Sequence, residues 1–213
     1  MHPLTKTVLA TTAAGTGALA YASLYERNAF VVREIDLPVL PAEARPLTVL
    51  QISDVHMTPG QSRKQHWLRS LVEYEPDLVV NTGDNLAHLE ALPAVLQAYD
   101  DLLGVPGVFV FGSNDYYSPT LKNPARYLMG PSGVRRRTAD LPYEKMRAAF
   151  SEAGWIDLNN ATGKLDVRGL SLSFAGLDDP HVDRDDLYGA GAAALVDAGR
   201  QFDAARGVEF PAF

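Results

Sequence analysis

Three segments, LTVLQISDVH (47–56), DLVVNTGDN (77–85) and GVFVFGSND (107–115), decide how this chain folds. Each opens as a short apolar run of Val, Leu, Ile or Phe and closes in small and polar residues. Runs of that length, bounded by Gly, Asp and Asn, read as buried strands. Between the first two lies Arg63–Tyr74, with Trp67, Leu68, Leu71 and Val72 on one helical face and Pro76 as its stop. Between the last two, Leu92, Val95, Leu96, Tyr99, Leu102 and Leu103 recur at helical spacing. Strands alternating with helices imply an α/β fold built on a mainly parallel sheet with right-handed crossovers. Ligands of such sheets bind beyond the carboxyl ends of the strands. The residues that end each strand are therefore the first candidates for function.

The first run ends in Ser53-Asp54-Val55-His56, the second in Thr82-Gly83-Asp84-Asn85 and the third in Gly112-Ser113-Asn114-Asp115. Asp54, Asp84 and Asn114 stand 30 residues apart at each step, one βα unit per step. On neighbouring strands their side chains converge at one rim. Asp54 and His56 are two apart, so they face the same way if the extended backbone continues. Two carboxylates, an imidazole and a carboxamide oxygen suit a divalent metal ion. Gly83 and Gly112 suit tight strand exits. Taken singly, these signals are bland: a D-x-H triplet arises by chance, and an Asp at a strand end is usually a turn or cap residue. Their order and equal spacing favour the metal site over coincidence.

D-V-H, G-D-N and G-S-N-D resemble the opening motifs of the calcineurin-like metallophosphoesterases, D-x-H, G-D and G-N-H-D/E. The resemblance runs from about Pro46 to Asp183 and is closest to small bacterial members with an N-terminal anchor or export signal. It implies an αββα sandwich, partial in this chain. It also implies two divalent ions (Mn, Zn, Fe or Mg) and a metal-bridging water or hydroxide that attacks phosphorus in a phosphorylated substrate. Carried over by position, Asp54 and His56 hold the first ion, Asp84 bridges both, and Asn114 holds the second.

Two departures from the family pattern stand out. Aligned without a gap on Gly112, Ser113 replaces the ligand Asn and Asn114 the His. Slipped by one, Asn114 is the ligand and Asp115 takes the place of the His. A hydroxyl is a poor substitute for an amide oxygen, which favours Asn114 as ligand and makes Asp115 a candidate catalytic residue. The family's downstream histidines, the last two in a G-H-x-H motif, have no counterpart among His2, His56, His66, His88 and His181. Residues 188–213 are expected to form an atypical, poorly packed tail after a partial domain at 29–187.

Composition narrows the reading further. The net charge of −7 argues against non-specific nucleic-acid binding. The lack of cysteine leaves any metal to N and O ligands. From Thr7 to Tyr25 there is no charged residue, a run of about 28 Å at helical rise. Behind Lys6 it reads as a signal anchor or a signal peptide, with Ala20-Tyr21-Ala22 as the A-x-A site, ahead of a buried helix of a soluble domain. Residues 1–28 are accordingly assigned to membrane association or export, with the domain extracytoplasmic. Ala29–Leu37, Trp155–Leu158, Lys164–Val167 and Leu170–Ala175 read as strands, and Tyr143–Ala153 as a helix.

Other residues weigh less. His66 sits beside Trp67 on an amphipathic helix and suits a surface role. His88 suits a loop or capping role. His181 follows a strand and, with Tyr116, is a candidate for substrate contact, though packing accounts for Tyr116 equally well. Arg135-Arg136-Arg137 reads as a solvated loop before a phosphate site. The function expected is metal-dependent phosphoester hydrolysis. The alternatives are an inactive truncated or pseudoenzyme form and a membrane-tethered binding module.

Overall fold

The computed structural model describes residues 3–119 and 139–179. The chain divides into two compact units, Met1–Val39 and Leu40–Phe213. In the first, Pro3–Leu24 forms α1, followed by a 3₁₀ turn at Glu26–Asn28. Val8, Leu9, Leu19 and Leu24 on α1 are exposed, and Tyr21 stacks on Tyr25 with ring centroids 5.3 Å apart. Its 22 residues reach about 33 Å, enough for a bilayer. Its apolarity falls short, because Ala, Thr and Gly make up most of the uncharged run. Among the described residues no helix is long and apolar enough to cross a membrane. The expected membrane anchor is therefore not supported. The strand expected over Ala29–Leu37 is also absent: the segment has no regular structure, and Val31, Ile35 and Leu37 are 71%, 74% and 69% exposed. Alternation makes a strand only where a partner takes up its hydrogen bonds.

The second unit carries the sheet. Its strands are β1 (Val49–Ile52), β2 (Leu78–Asn81), β3 (Gly107–Phe109) and β4 (Ile156–Asp157). They are parallel throughout and ordered β1-β2-β3-β4. The helices α2 (Ser62–Ser70), α3 (Leu92–Tyr99), the single turn α4 (Ser113–Tyr116) and α5 (Tyr143–Glu152) fall between them in sequence. α2 runs into a 3₁₀ turn, Leu71–Tyr74, and Glu75 ends it at φ 47° just before Pro76, a left-handed stop followed by a residue that cannot continue the helix. β5 (Ala161–Val167) and β6 (Leu170–Gly176) form an antiparallel hairpin. Arg168 at φ 49° and Gly169 at φ 82° make its two-residue turn, the geometry that matches strand twist. Arg168 pairs with Asp77, which also accepts from Thr48 N at 2.9 Å. The sheet and helices are those of a mixed α/β protein consistent with a partial calcineurin-like sandwich. The expected tail at 188–213 lies outside the described residues.

An aromatic core backs the sheet. Phe150 on α5 is fully buried, with its ring 5.3 Å from Phe109, 5.1 Å from Trp155 and 6.0 Å from Tyr99. Trp155 donates its indole N–H to Val105 O at 3.0 Å. Gly107 makes room for that indole: a Cβ there would lie 2.5 Å from Nε1. Phe150→Ala is expected to cost about 3–5 kcal/mol of stability. Urea denaturation of the two proteins checks this, and a loss below about 1 kcal/mol would show that Phe150 is not central to the core.

Candidate metal centre

The loops after β1 and β2 run side by side as a continuation of the parallel ladder. Thr82 N donates to Ile52 O at 2.9 Å, Asp54 N to Gly83 O at 3.0 Å, His56 N to Asp84 O at 2.9 Å and Met57 N to Asn85 O at 2.8 Å. Ala87 N closes the run on Met57 O at 3.0 Å. Val55 and Met57 are buried, which turns Asp54 and His56 to the other side. The backbone there is not a simple extension of the strand. Asp54, His56 and Asp84 adopt φ of 54°, 45° and 57°. Left-handed backbone at non-glycine residues costs on the order of 1–3 kcal/mol each and persists only where the surroundings impose it.

The result is a compact group of donors. His56 Nε2 lies 3.7 Å from Asp84 Oδ2 and 3.8 Å from Asp54 Oδ1. One ligand atom from each of the three residues lies within 4.8 Å of the others. Donors about 2.1 Å from a shared ion sit roughly 3–4 Å from one another, so the group fits one divalent ion with little adjustment. The side chains are 68%, 41% and 20% exposed for Asp54, His56 and Asp84, which leaves one flank open to solvent. Ser53 Oγ bonds Asp54 Oδ2. Lys64 on α2 donates to Val55 O at 2.6 Å, between the two candidate donors Asp54 and His56.

Asn114 sits against the same carboxylate. Its main-chain N donates to Asp84 Oδ1 at 2.9 Å and its Nδ2 to Asp84 Oδ2 at 2.7 Å. A half-turn of the amide would bring its oxygen to that place. The two motif glycines mark where the loops after β2 and β3 touch. A Cβ at Gly83, at φ 91°, would lie 2.3 Å from Gly112 N, and a Cβ at Gly112 would lie 2.2 Å from Asp84 Oδ1.

Asp115 lies beneath the rim, fully buried. Its Oδ2 accepts from Asp84 N at 2.8 Å and Gly112 N at 3.1 Å, and its Oδ1 from Asn85 N at 2.7 Å and Leu86 N at 3.2 Å. Burial pushes its carboxyl up to about 6, against those N–H donors, which hold it down; the charge of Asp84 adds to the rise. Below it Asn85 Nδ2 reaches Asp115 Oδ2 at 3.4 Å, and Tyr99 donates its hydroxyl to Asn85 Oδ1 at 2.9 Å.

Tyr116 is 3% exposed and donates its hydroxyl to both oxygens of Asp178, at 2.8 Å each. Its ring lies 4.6 Å from that of Tyr143, so it faces packing partners. His66 is exposed, with Nδ1 2.7 Å from Ser62 O, and His88 accepts from Glu90 N at 3.1 Å. Neither belongs to the donor group. His181 and Arg135-Arg136-Arg137 lie outside the described residues. Lys64, Asn81, Asn85 and Tyr99 were not singled out from sequence as site residues. Asn85 stands inside a quoted motif, whereas Tyr99 reads from sequence as one apolar position on a helix.

These features define an α/β protein with an Asp–His–Asp group, able to hold a metal ion, at the carboxyl rim of a parallel sheet. A family model described as calcineurin-like phosphoesterase matches residues 47–183, and the chain belongs to that family. The match defines the family and no subgroup within it. No curated protein matches the chain closely enough to count as a relative.

The anchoring by Asp115 is open to a direct test. Asp115→Asn keeps the shape but replaces one acceptor oxygen with a donor, leaving main-chain N–H groups unpaired. The metal-free variant is expected to lose about 1–3 kcal/mol in urea denaturation. Unchanged stability would show that the carboxylate does not hold the loops.

Proposed function

We propose that this chain is a metal-dependent phosphoesterase that hydrolyses a phosphomonoester or phosphodiester. The observation that carries the reading is the convergence of Asp54, His56 and Asp84 within 4.8 Å at the rim of adjacent strands, in a chain of the calcineurin-like family. In this reading Asp54, His56 and Asp84 hold one divalent ion, and Asp84 and Asn114 take part in holding a second. Such ions supply positive charge to phosphoryl oxygens and lower the pKa of a nearby water.

The chain's own residues do the positioning. The N–H of Asn114 fixes the Asp84 carboxylate, and the zipped loops fix Asp54 against His56. Asp115 serves as a strut under Asp84 in this reading, in place of the catalytic role read from sequence, because its oxygens are taken up by main-chain donors and have no path to a substrate. Tyr116, likewise buried, acts through packing. The uncharged run Thr7–Tyr25 with Ala20-Tyr21-Ala22 supports export, which N-terminal sequencing of the protein recovered outside producing cells would check.

One observation favours a second reading, that of a metal-binding domain with little turnover. Among the described residues the donors are two aspartates, one histidine and one asparagine, a sparse set for two rigidly held ions. Small misplacement at such a centre costs on the order of 100-fold in rate. Calorimetric titration with Mn(II) and assay of bis-p-nitrophenyl phosphate separate the two readings. Wild type is expected to bind Mn(II) and to hydrolyse the diester slowly. Asp84→Ala is expected to weaken Mn(II) binding at least 100-fold, since it removes the ligand common to both ions, and to abolish turnover. Binding without turnover supports the second reading. Equal Mn(II) stoichiometry in wild type and Asp84→Ala would overturn the assignment of Asp84.

A further inference from the structure

We infer that Tyr99 is a positioning residue for Asp84, acting from the opposite side of the loop through Asn85 and Asp115. The inference rests on the reading of Asp84 as a metal-holding carboxylate. Tyr99 ends α3 and belongs by packing to the aromatic core, with its ring 6.0 Å from Phe150 and 6.3 Å from Trp155. Its hydroxyl points the other way, into a fully enclosed polar cluster of Asn81, Asn85 and Asp115. Burial pushes the phenol well above its usual range, and the charge of Asp115 pushes it further, so the hydroxyl keeps its proton and serves as a donor.

The geometry shows what that donor does. Asn81 and Asn85 form a reciprocal amide pair: Asn81 Nδ2 donates to Asn85 Oδ1 at 2.8 Å and Asn85 Nδ2 to Asn81 Oδ1 at 3.1 Å. Such a pair keeps both bonds if both amides turn over together. Two outside contacts break that symmetry, and the Tyr99 hydroxyl bridges the two amides. Gly83 N donates to Asn81 Oδ1 at 3.0 Å and Asn85 Nδ2 reaches Asp115 Oδ2 at 3.4 Å, while Tyr99 OH accepts from Asn81 Nδ2 at 3.4 Å and donates to Asn85 Oδ1 at 2.9 Å, tying the pair to α3. With the amides fixed, Gly83 and Asn85 are held on either side of Asp84, and Asp115 holds the Asp84 N–H. Asp84 sits at φ 57°, a conformation that lasts only while its neighbours impose it. Asn85 is thus held to the core by side chain and to Asp115 by main chain; Asp115 ties it to α4 and Tyr99 ties it to α3.

Tyr99→Phe removes the hydroxyl and keeps the ring, so a purely packing role predicts no effect at the site. Expected for the full chain are a melting temperature close to wild type, Mn(II) affinity weakened about tenfold, and faster amide hydrogen exchange at Asp84, Asn85 and Leu86. Tyr74→Phe, at an exposed ring, is the control and is expected to change none of these. Mn(II) affinity within twofold of wild type together with unchanged exchange at those amides would overturn the inference. The exchange measurement needs no metal. Failure of wild type to bind Mn(II) would sink the phosphoesterase reading, while the exchange pattern still decides whether Tyr99 holds the loop. Should Tyr99→Phe fail to fold, Asn81→Asp, which keeps the shape and removes the amide donor, carries the same test. Loss of the cooperative transition in both variants counts against the inference, because it assigns the cluster to the fold and not to the loop.

Discussion

A carboxylate shut away from water between two strand-end loops is the constraint on which this site depends. Burying a charge of that kind costs several kcal/mol unless it is fully hydrogen-bonded. Asp115 meets the cost with four main-chain N–H donors, from Asp84, Asn85, Leu86 and Gly112. Hydrogen bonds to a charged acceptor contribute roughly 1.5–3 kcal/mol each, which offsets the burial only in part, since the carboxyl is still raised to about 6. One side chain thereby ties the loop after β2 to the loop after β3. The β1 loop joins chiefly by main chain, through the ladder from Thr82–Ile52 to Ala87–Met57. The donor group at the rim is a consequence of that zipper: Val55 and Met57 turn inward, and Asp54 and His56 turn out beside Asp84.

The glycines belong to the same constraint. Gly83 and Gly112 allow the loops to approach until a Cβ on either would clash with the other's backbone or with Asp84. The sequence motifs are therefore less a ligand list than a description of three loops packed at van der Waals distance. The candidate donors Asp54, His56 and Asp84 stand together at that rim, with Val55 and Met57 turned to the core.

The sheet was legible because its signals are local and redundant. Apolar runs such as DLVVN, their polar exits and the amphipathic spacing of Leu68 and Leu71, or of Leu92, Val95 and Tyr99, each select the same element. The equal spacing of Asp54, Asp84 and Asn114 was legible as convergence because neighbouring parallel strands carry equal spacings to one rim. Other parts were not legible, for physical reasons. Ala29–Leu37 has the composition of a strand, but a strand also needs a partner, which composition does not supply. The run Thr7–Tyr25 lacks charge and forms a helix, yet lack of charge is not apolarity, and Ala, Thr and Gly do not add up to a membrane span. Asp115 read as exposed chemistry because its motif is polar; burial depends on how three loops close over it, a long-range outcome. Tyr99 read as one apolar position on α3, since periodicity places the ring and is silent on the hydroxyl.

The central claim, that Asp54, His56 and Asp84 share a metal ion, is tested most directly by anomalous diffraction from crystals equilibrated with Mn(II). The account predicts an anomalous peak about 2.0–2.6 Å from one side-chain donor of each of the three residues. No peak at that rim under saturating Mn(II), or a peak only at other carboxylates, would contradict it.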